Sequence, residues 1–251
     1  DTTGLLIRSI DHSAGNYLRI GGSSNNTTIV ECTLRNFDNE AGVVELVDST
    51  VSGSIYQSGS GDSLRITNGT VGGNISQSSG SLHTSNVTVS GTFGTSNTAV
   101  STIAFRTTVS GDCDWYGNRS WFGYSAARSF NFYGSNAKVM VVGSTIDRIG
   151  GEADGMQLHG SSNQFTVANS VVKNVYSYYN GNENNIEIII DKQQDPKITL
   201  ARKTSSKYKA NTVNILKRNP NEAKSIVHLK RVILPLRLIN CFFHSGGICF
   251  S

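Results

Sequence analysis

The sequence predicts an all-β protein folded as a parallel β-helix, a solenoid whose successive coils stack through backbone hydrogen bonds. A short motif recurs about every 19 residues, apolar and polar residues alternate within each repeat, and Gly, Ser, Thr and Asn dominate the composition. Gly and β-branched residues inside every repeat oppose a helix. An antiparallel sandwich does not require the same residues at the same place in every repeat, so the repeat favours the solenoid.

The repeat is clearest over residues 49–113, where four copies read STVSGSI, GTVGGNI, VTVSGTF and TTVSGDC. Period-two alternation predicts that the Val, Gly and Ile of a copy, such as Val51, Gly53 and Ile55, share one buried face. The Thr and Ser between them are expected on the outward face. A second strand precedes each copy, namely VVELV, SLRIT, SLHTS and STIAF.

In those preceding strands, Leu64 with Ile66 and Ile103 with Phe105 are expected to point into the core. Earlier coils are predicted from YLRIGG and TTIVECTLRNF, and later ones from AKVMVVGSTIDRI and GMQLHGSSNQFTVANSVVKNV. The predicted β-helix domain therefore spans residues 1–180.

Residues 181–251 are predicted to form a C-terminal β-strand-rich basic extension. Within it, residues 192–251 carry twelve Lys and Arg against two acidic residues, whereas residues 1–191 carry ten against sixteen. We expect the strands predicted there, from IEIIID onward, to form a terminal sheet through which three chains associate. A solvated or partner-binding extension explains the positive charge without nucleic acid.

Composition excludes several classes of function. Only 16% of the residues are charged and no nucleic-acid reader motif is present, so no nucleic-acid partner is expected. No apolar run reaches the roughly 18 residues of a membrane span, so membrane insertion is not expected. Cys241, His244 and Cys249 fall short of a zinc set, and neither a metal nor a cofactor is expected. Because the chain begins at Asp1, we interpret it as a trimmed or processed piece.

The rhythm of the repeat breaks over residues 114–134, which hold both tryptophans of the chain. Insertions in a solenoid often lie on the binding face, and clustered aromatics with Arg suit stacking on sugar rings. Alternatively, these aromatics fill a locally widened core. The candidate substrate-binding residues are Trp115, Tyr116, Arg119, Trp121, Tyr124 and Arg128.

The segment DGMQLHGSSNQFTVANSVVKNV at 154–175 resembles a recurring coil of the pectate-lyase-like superfamily. Within that superfamily, the sequence of residues 1–180 is most similar to the trimeric tailspikes of tailed bacteriophages. This resemblance implies right-handed coils, a homotrimer on the virion tail, an extracellular site of action and cleavage of a bacterial surface polysaccharide, either capsule or O-antigen. The chain lacks the DD, GHG and RIK motifs of polygalacturonases and the clustered Asp of calcium-dependent pectate lyases.

Glycoside hydrolysis requires two carboxyl groups, one as proton donor and one as base or nucleophile. Glu152 and Asp154, with His159, are the candidate catalytic residues, and Asp112 with Asp114 forms a second possible pair. Asp154 before Gly also suits a turn.

Three other functions remain open. A lyase acting by β-elimination on a uronate-containing capsule would use a base such as His159, and a non-catalytic adhesin would use the aromatic residues alone. An ice-binding array is disfavoured because the position after each repeated Thr-Val varies as Ser, Gly, Ser and Ser.

Overall fold

A computed structural model describes residues 4–21, 26–59, 63–96, 101–148, 156–158, 162–172, 175–177, 185–191, 200–202, 212–218 and 226–227. For residues 147–148, 156–158 and all those after 170, it describes the backbone alone. Every element in these ranges is a β-strand, and no helix able to cross a membrane occurs among them.

Each coil contributes a longer strand followed by two short ones, which merge into a single strand in two of the coils. The first strands in chain order are β1 (Leu5–Arg8), β2 (Asp11–His12), β3 (Leu18–Ile20), β4 (Asn26–Val30), β5 (Thr33–Leu34), β6 (Phe37–Asn39), β7 (Val43–Val47), β8 (Thr50–Val51), β9 (Ile55–Gln57), β10 (Ser63–Thr67), β11 (Thr70–Val71), β12 (Ile75–Gln77), β13 (Ser81–Ser85), β14 (Thr88–Val89) and β15 (Phe93–Thr95). The remaining strands are β16 (Ser101–Phe105), β17 (Thr108–Trp115), β18 (Arg119–Gly123), β19 (Ala126–Phe132), β20 (Lys138–Val142), β21 (Thr145–Arg148), β22 (Met156–Leu158), β23 (Gln164–Ala168), β24 (Val171–Val172), β25 (Val175–Ser177), β26 (Asn185–Asp191), β27 (Leu200–Arg202), β28 (Thr212–Arg218) and β29 (Ile226–Val227).

These strands form three parallel faces, which confirms the predicted all-β solenoid. Sheet A contains the first strand of each coil, from β1 through β4, β7 and onward to β28. Sheet B contains the second strands, beginning β2, β5, β8, and sheet C the third strands, beginning β3, β6, β9. The long strands β17 and β19 run through the bend between sheets B and C. Within the described strands, only β28 and β29 pair in the antiparallel sense.

Sheet A continues beyond the predicted domain boundary at residue 180. Strand β26 pairs with β23 in parallel register, and β28 pairs with β26 over seven positions. Sheet C likewise continues through β27, which pairs with β25. The parallel coils therefore extend into the basic C-terminal segment, and its role in trimerisation stays a prediction.

Alternation in sheet A produces the buried face that the sequence predicts, with one exception. Leu64 and Ile66 are buried, as expected. Strand β16 keeps the register of its neighbours, with Thr102 opposite the buried Leu82, so Thr102 and Ala104 are buried while Ile103 and Phe105 face outward. The prediction that Ile103 and Phe105 are core residues is therefore wrong.

Some of the buried hydroxyl groups near this face form hydrogen bonds inside the core, whereas Thr27 Oγ1 and Ser120 Oγ have no partner among the described residues. Thr102 Oγ1 donates to Gln77 Oε1 at 3.0 Å, and Thr84 Oγ1 lies 2.9 Å from Thr107 Oγ1. A buried polar group with a partner is tolerated at a core position.

The bend between sheets B and C is built on a column of glycines. Gly73 donates its N–H to Gly53, Gly91 to Gly73, and Gly111 to Gly91, at 2.8 to 3.0 Å. These glycines therefore lie at a corner and not on the apolar face, where the sequence placed Gly53. Val51 and Ile55 on either side of the corner are both buried, as predicted.

The turn from sheet A to sheet B repeats the same backbone conformation on every described coil. One residue per coil has φ between 48° and 60°, beginning with Ser9 and including Asp48, Asn68, Asn86 and Tyr124. Asn tolerates this region better than most residues, and its amide also bonds between coils. Asn68 donates to Asp48 and Asn86 donates to Asn68, each at 3.0 Å.

Candidate functional site

A shallow groove of about 210 Å³ lies along sheet C. Three consecutive residues from each of three coils line it, and Asp114 closes one end. Ser76 and Gly94 lie between the larger side chains of Tyr56 and Asp114, so the floor of the groove is low. Its other lining residues are Gln57, Ser58, Gln77, Ser78, Thr95 and Ser96.

Strand register sets the outward residues of sheet C into one column. Because parallel coils lie roughly 4.8 Å apart, neighbouring members of the column come within side-chain contact. In order along the solenoid the column is Arg19, Asp38, Tyr56, Ser76, Gly94, Asp114 and Asn131.

Two carboxylates and an arginine meet at the N-terminal end of this column. Arg19 Nε lies 3.4 Å from Asp38 Oδ2 and 3.2 Å from Glu40 Oε1. The Asp38 side chain is 13% exposed and that of Glu40 is 42% exposed. Burial raises the pKa of Asp38, and the charge of Glu40 raises it further, while Arg19 and the Ser58 hydroxyl lower it in part.

A tyrosine pair adjoins these carboxylates. The rings of Tyr17 and Tyr56 have centroids 6.2 Å apart, and both side chains are exposed to solvent. Tyr56 is the direct cross-strand neighbour of Asp38. A sugar ring in contact with the Tyr56 ring would therefore lie one strand from the Asp38 carboxyl group.

Asp112 and Asp114 lie at the other end of the groove, on β17, with the buried Cys113 between them. The two side chains share the outward side because strand residues alternate. Arg128 donates two hydrogen bonds to Asp112, at 2.9 and 2.8 Å, and Ser129 donates a third at 2.6 Å. Both oxygens of this carboxylate are thereby engaged by donors of the protein, which does not suit a group that must act on a ligand.

Asp114 accepts a hydrogen bond of 2.6 Å from Asn131 on the next coil. A second tyrosine pair lies near it, with Tyr116 and Tyr133 stacked at a centroid distance of 4.7 Å. Burial raises the pKa of the Tyr133 phenol, and the Asp114 charge raises it further. The phenol therefore stays protonated at neutral pH and is suited to donate hydrogen bonds.

Sheet A carries a separate group of surface aromatics around the outward-facing Phe105 of β16. Phe105 stacks on Trp121 with centroids 5.9 Å apart, and its edge meets Tyr124 at 5.8 Å. The Trp121 ring lies over Gly123, where a Cβ would be 2.9 Å from the indole. The Arg106 guanidinium lies 5.1 Å from the centre of the Phe105 ring.

The structure does not bring the six predicted substrate-binding residues together. Trp121 and Tyr124 belong to the sheet A group, and Arg119 is exposed at the start of the same strand as Trp121. Tyr116 lies on the sheet C side, where it stacks on Tyr133, and Arg128 is exposed beside Asp112.

Trp115 is fully buried in the core, so its ring has no face available to a glycan. Its Nε1 donates to the Phe93 carbonyl at 3.1 Å, and its ring packs edge-on against Phe93, Phe122 and Phe130. For this residue the alternative interpretation, filling of a widened core, is the one that the structure supports.

The predicted catalytic residues Glu152, Asp154 and His159 lie outside the described residues. Asp38, Glu40 and Tyr56 were not singled out from the sequence. Comparing the central residue of LRI, FDN, IYQ and ISQ across the repeats would have aligned Asp38 and Tyr56 in one outward column, with Glu40 directly after the FDN triplet. The loops of unequal length between these triplets obscure that alignment.

Within the part of the chain that the structure describes, no three His, Cys, Asp or Glu side chains are arranged to hold a metal ion. Cys32 and Cys113 are buried free thiols. Comparison of the chain with protein-family models, with curated proteins and with solved structures finds no match.

Proposed function

We propose that the protein binds a bacterial surface polysaccharide in the groove of sheet C and cleaves it by glycosidic hydrolysis. The observation that supports binding there is the groove itself, with its floor of Ser76 and Gly94 between Tyr56 and Asp114. The resemblance to tailspikes supplies the class of substrate, capsule or O-antigen, and the reaction.

The chemistry of the groove suits a sugar chain. A pyranose ring has an apolar face, which packs on an aromatic ring, and hydroxyl groups at its rim, which need donors and acceptors. Tyr56 offers the ring, and Ser58, Ser78 and Asp114 offer polar groups.

Following the same resemblance, we propose that the chain works as a homotrimer on a virion tail, outside the cell. Its partner is the polysaccharide of the bacterial surface. Glu152, Asp154 and His159 stay the catalytic residues that the sequence predicts.

A non-catalytic glycan-binding protein is the second candidate. The three hydrogen bonds from Arg128 and Ser129 to Asp112 favour it, because they engage both oxygens of that carboxylate within the protein. A lyase acting by β-elimination, with His159 as the predicted base, is a further candidate.

Binding is tested by titrating the protein with a panel of purified capsular and O-antigen polysaccharides. For the polysaccharide that binds, Tyr56→Ala weakens the affinity about tenfold, since loss of one stacked ring removes roughly 1.4 kcal/mol. Trp121→Ala on sheet A is the matched control and leaves the affinity unchanged. The reverse pattern would place the glycan on sheet A and overturn the proposed groove.

Mass spectrometry of the polysaccharide after incubation separates the candidate reactions. Hydrolysis adds one water to the products for each bond cleaved, whereas elimination adds no water and leaves an unsaturated uronate at the new chain end. Binding without fragments supports the non-catalytic candidate and contradicts cleavage.

A further inference from the structure

We propose that the groove on sheet C selects a neutral polysaccharide and that Asp114 is the residue that disfavours acidic ones. This assignment rests on the proposed function and deepens it, because it names the class of glycan that the same groove takes. An acidic polysaccharide is here one whose repeat unit carries a uronate, sialate, phosphate or sulfate group.

The lining of the groove carries almost no charge. Asp114 is the one carboxylate among its ten residues, and no Lys, Arg or His lines it within the described part of the chain. Arg35, exposed on the preceding coil, is not a lining residue. Ser58, Ser78 and Ser96 are exposed along the groove, one on each of three successive coils. Their hydroxyl groups both donate and accept hydrogen bonds, as those of a neutral sugar do. A negatively charged sugar would lose water there without gaining a cation.

The arginines that flank the groove on sheet C are already paired. Arg19 Nε lies 3.4 and 3.2 Å from carboxylate oxygens of Asp38 and Glu40. Arg128 donates to both oxygens of Asp112, at 2.9 and 2.8 Å. Recruiting either arginine to an acidic sugar would break an ion pair within the protein, so neither provides a free cation for the groove.

Asp114 is held in position at the end of the groove. Asn131 Nδ2 donates to its Oδ1 at 2.6 Å, and its Oδ2 accepts no hydrogen bond from the described residues. Its neighbour across the strands is Gly94, where even an added Cβ would find its nearest atom 3.9 Å away, so the floor beside Asp114 is open. A ligand hydroxyl at this end can donate to Oδ2, whereas a ligand carboxylate cannot and meets a like charge.

The surroundings of Asp114 reinforce this discrimination. Burial raises the pKa of the Tyr133 phenol, and the charges of Asp114 and Asp112 raise it further. A field that disfavours a phenolate also disfavours a ligand carboxylate. This end of the groove therefore favours ligands that bring hydroxyl groups.

A neutral substrate restricts the reaction to hydrolysis. β-Elimination requires a uronate, whose carboxyl group makes the neighbouring C–H acidic enough for a base to remove the proton. A neutral glycan has no such group. Its glycosidic oxygen instead leaves the anomeric carbon and gains one proton of a water molecule, while the remaining hydroxyl of that water bonds to the anomeric carbon.

The test uses one polymer in two charge states. The protein is titrated with the neutral polysaccharide of the panel that binds most tightly, and with the same polysaccharide after oxidation of its primary hydroxyl groups to carboxylates. Oxidation lowers the affinity roughly tenfold or more, and reduction of the carboxylates back to hydroxyl groups restores it. Salt screens the repulsion, so raising NaCl from about 0.02 to about 0.5 M strengthens binding of the oxidised polymer about threefold or more. Binding of the neutral polymer changes by no more than about 1.5-fold over the same range.

Asp114→Asn removes the charge but keeps an oxygen that can accept from Asn131. It strengthens binding of the oxidised polymer roughly fivefold or more, because the like charge is gone, and weakens binding of the neutral polymer by up to about fivefold, because an uncharged oxygen is the poorer acceptor. Asp48→Asn is the matched control, with the same change of charge at the turn between sheets A and B. Asp48 has a φ of 50°, which Asn tolerates, and the control leaves both affinities unchanged. Circular dichroism confirms that both variants keep their strand content.

The outcomes separate this inference from the proposed function. An acidic polysaccharide that binds at least as tightly as any neutral one, and is weakened by Tyr56→Ala, overturns the selectivity but leaves the groove as the binding site. An affinity for the oxidised polymer that falls with added salt also overturns it, without requiring that any variant fold. Equal effects of Asp114→Asn and Asp48→Asn would overturn the role of Asp114. Binding to no polysaccharide overturns the groove and the selectivity together.

Discussion

Gly91 and Gly94 lie three residues apart on the same coil, and their surroundings differ sharply. A Cβ at Gly91 would lie 2.7 Å from the Gly73 oxygen and 2.8 Å from the Gly73 carbonyl carbon, and it would also meet the Asn74 side chain. A Cβ at Gly94 would find its nearest atoms at 3.9 and 4.0 Å. Backbone atoms cannot move aside without breaking the hydrogen bonds between coils, so only Gly91 is required for close stacking.

The substitution Gly91→Ala is therefore expected to destabilise the fold by about 1 to 3 kcal/mol, as overpacking does elsewhere. Gly94→Ala is expected to change the free energy of unfolding by no more than about 0.5 kcal/mol. Urea unfolding followed by circular dichroism measures both. Equal effects of the two substitutions would contradict the role of the glycine column at the bend.

At the scale of elements, the turn between sheets A and B is completed by a ladder of buried hydroxyl groups. Ser125 Oγ accepts the Thr107 N–H at 3.0 Å and donates to the Gly123 carbonyl at 2.7 Å. Ser144 and Ser170 take the same place on the following coils. On each of these coils the serine hydroxyl therefore accepts a hydrogen bond from a backbone N–H of the preceding coil.

Ser125→Ala leaves the Thr107 N–H buried without a partner, which costs about 1 to 3 kcal/mol. The expected result is a lower midpoint of urea unfolding with an unchanged strand content. Ser90→Ala, on the exposed side of sheet B, is the control and leaves the midpoint in place. A Ser125→Ala midpoint equal to that of the control would show that the ladder contributes nothing to stability.

The strands themselves follow from the sequence, but the phase of β16 does not. Hydrophobicity alone points Ile103 and Phe105 inward, whereas the structure buries Thr102 and Ala104. Pairing with β13 places Thr102 opposite the buried Leu82, and Thr102 donates a hydrogen bond to Gln77 on another coil. A pattern within one strand does not contain that information, and the aromatic group on sheet A is a consequence of it.

At the scale of the whole molecule, the candidate site depends on register between coils. The repeat predicts that coils stack, and its recurring Thr-Val pair correctly identifies the strands of sheet B. Arg19, Asp38 and Tyr56 come from three coils separated by loops of different length, so their alignment follows from the pairing of β3, β6 and β9. The aromatic residues predicted to bind substrate do not form a single surface, because the chain segment that carries them passes through all three sheets.

A solenoid in which each coil contacts only its neighbours is expected to open locally. Burial raises the pKa of the Cys113 thiol, and its side chain has no exposed surface, so a thiol reagent reaches it only when the coil opens. Gly91 donates to Gly73 and accepts from Gly111, which lies on the coil of Cys113. Cys32 is buried on β4's coil, and two coils lie between it and the coil of Gly91.

Gly91→Ala is therefore expected to accelerate modification of Cys113 about 5- to 150-fold, corresponding to a local loss of about 1 to 3 kcal/mol. Modification of Cys32 is expected to accelerate much less, because the strain decays across the intervening coils. Mass spectrometry of peptides after timed exposure to iodoacetamide measures the two positions separately, with Gly94→Ala as the reference. Equal acceleration at both cysteines would mean that the coils open as one cooperative unit, since a locally opening solenoid transmits the disturbance only to its nearest neighbours.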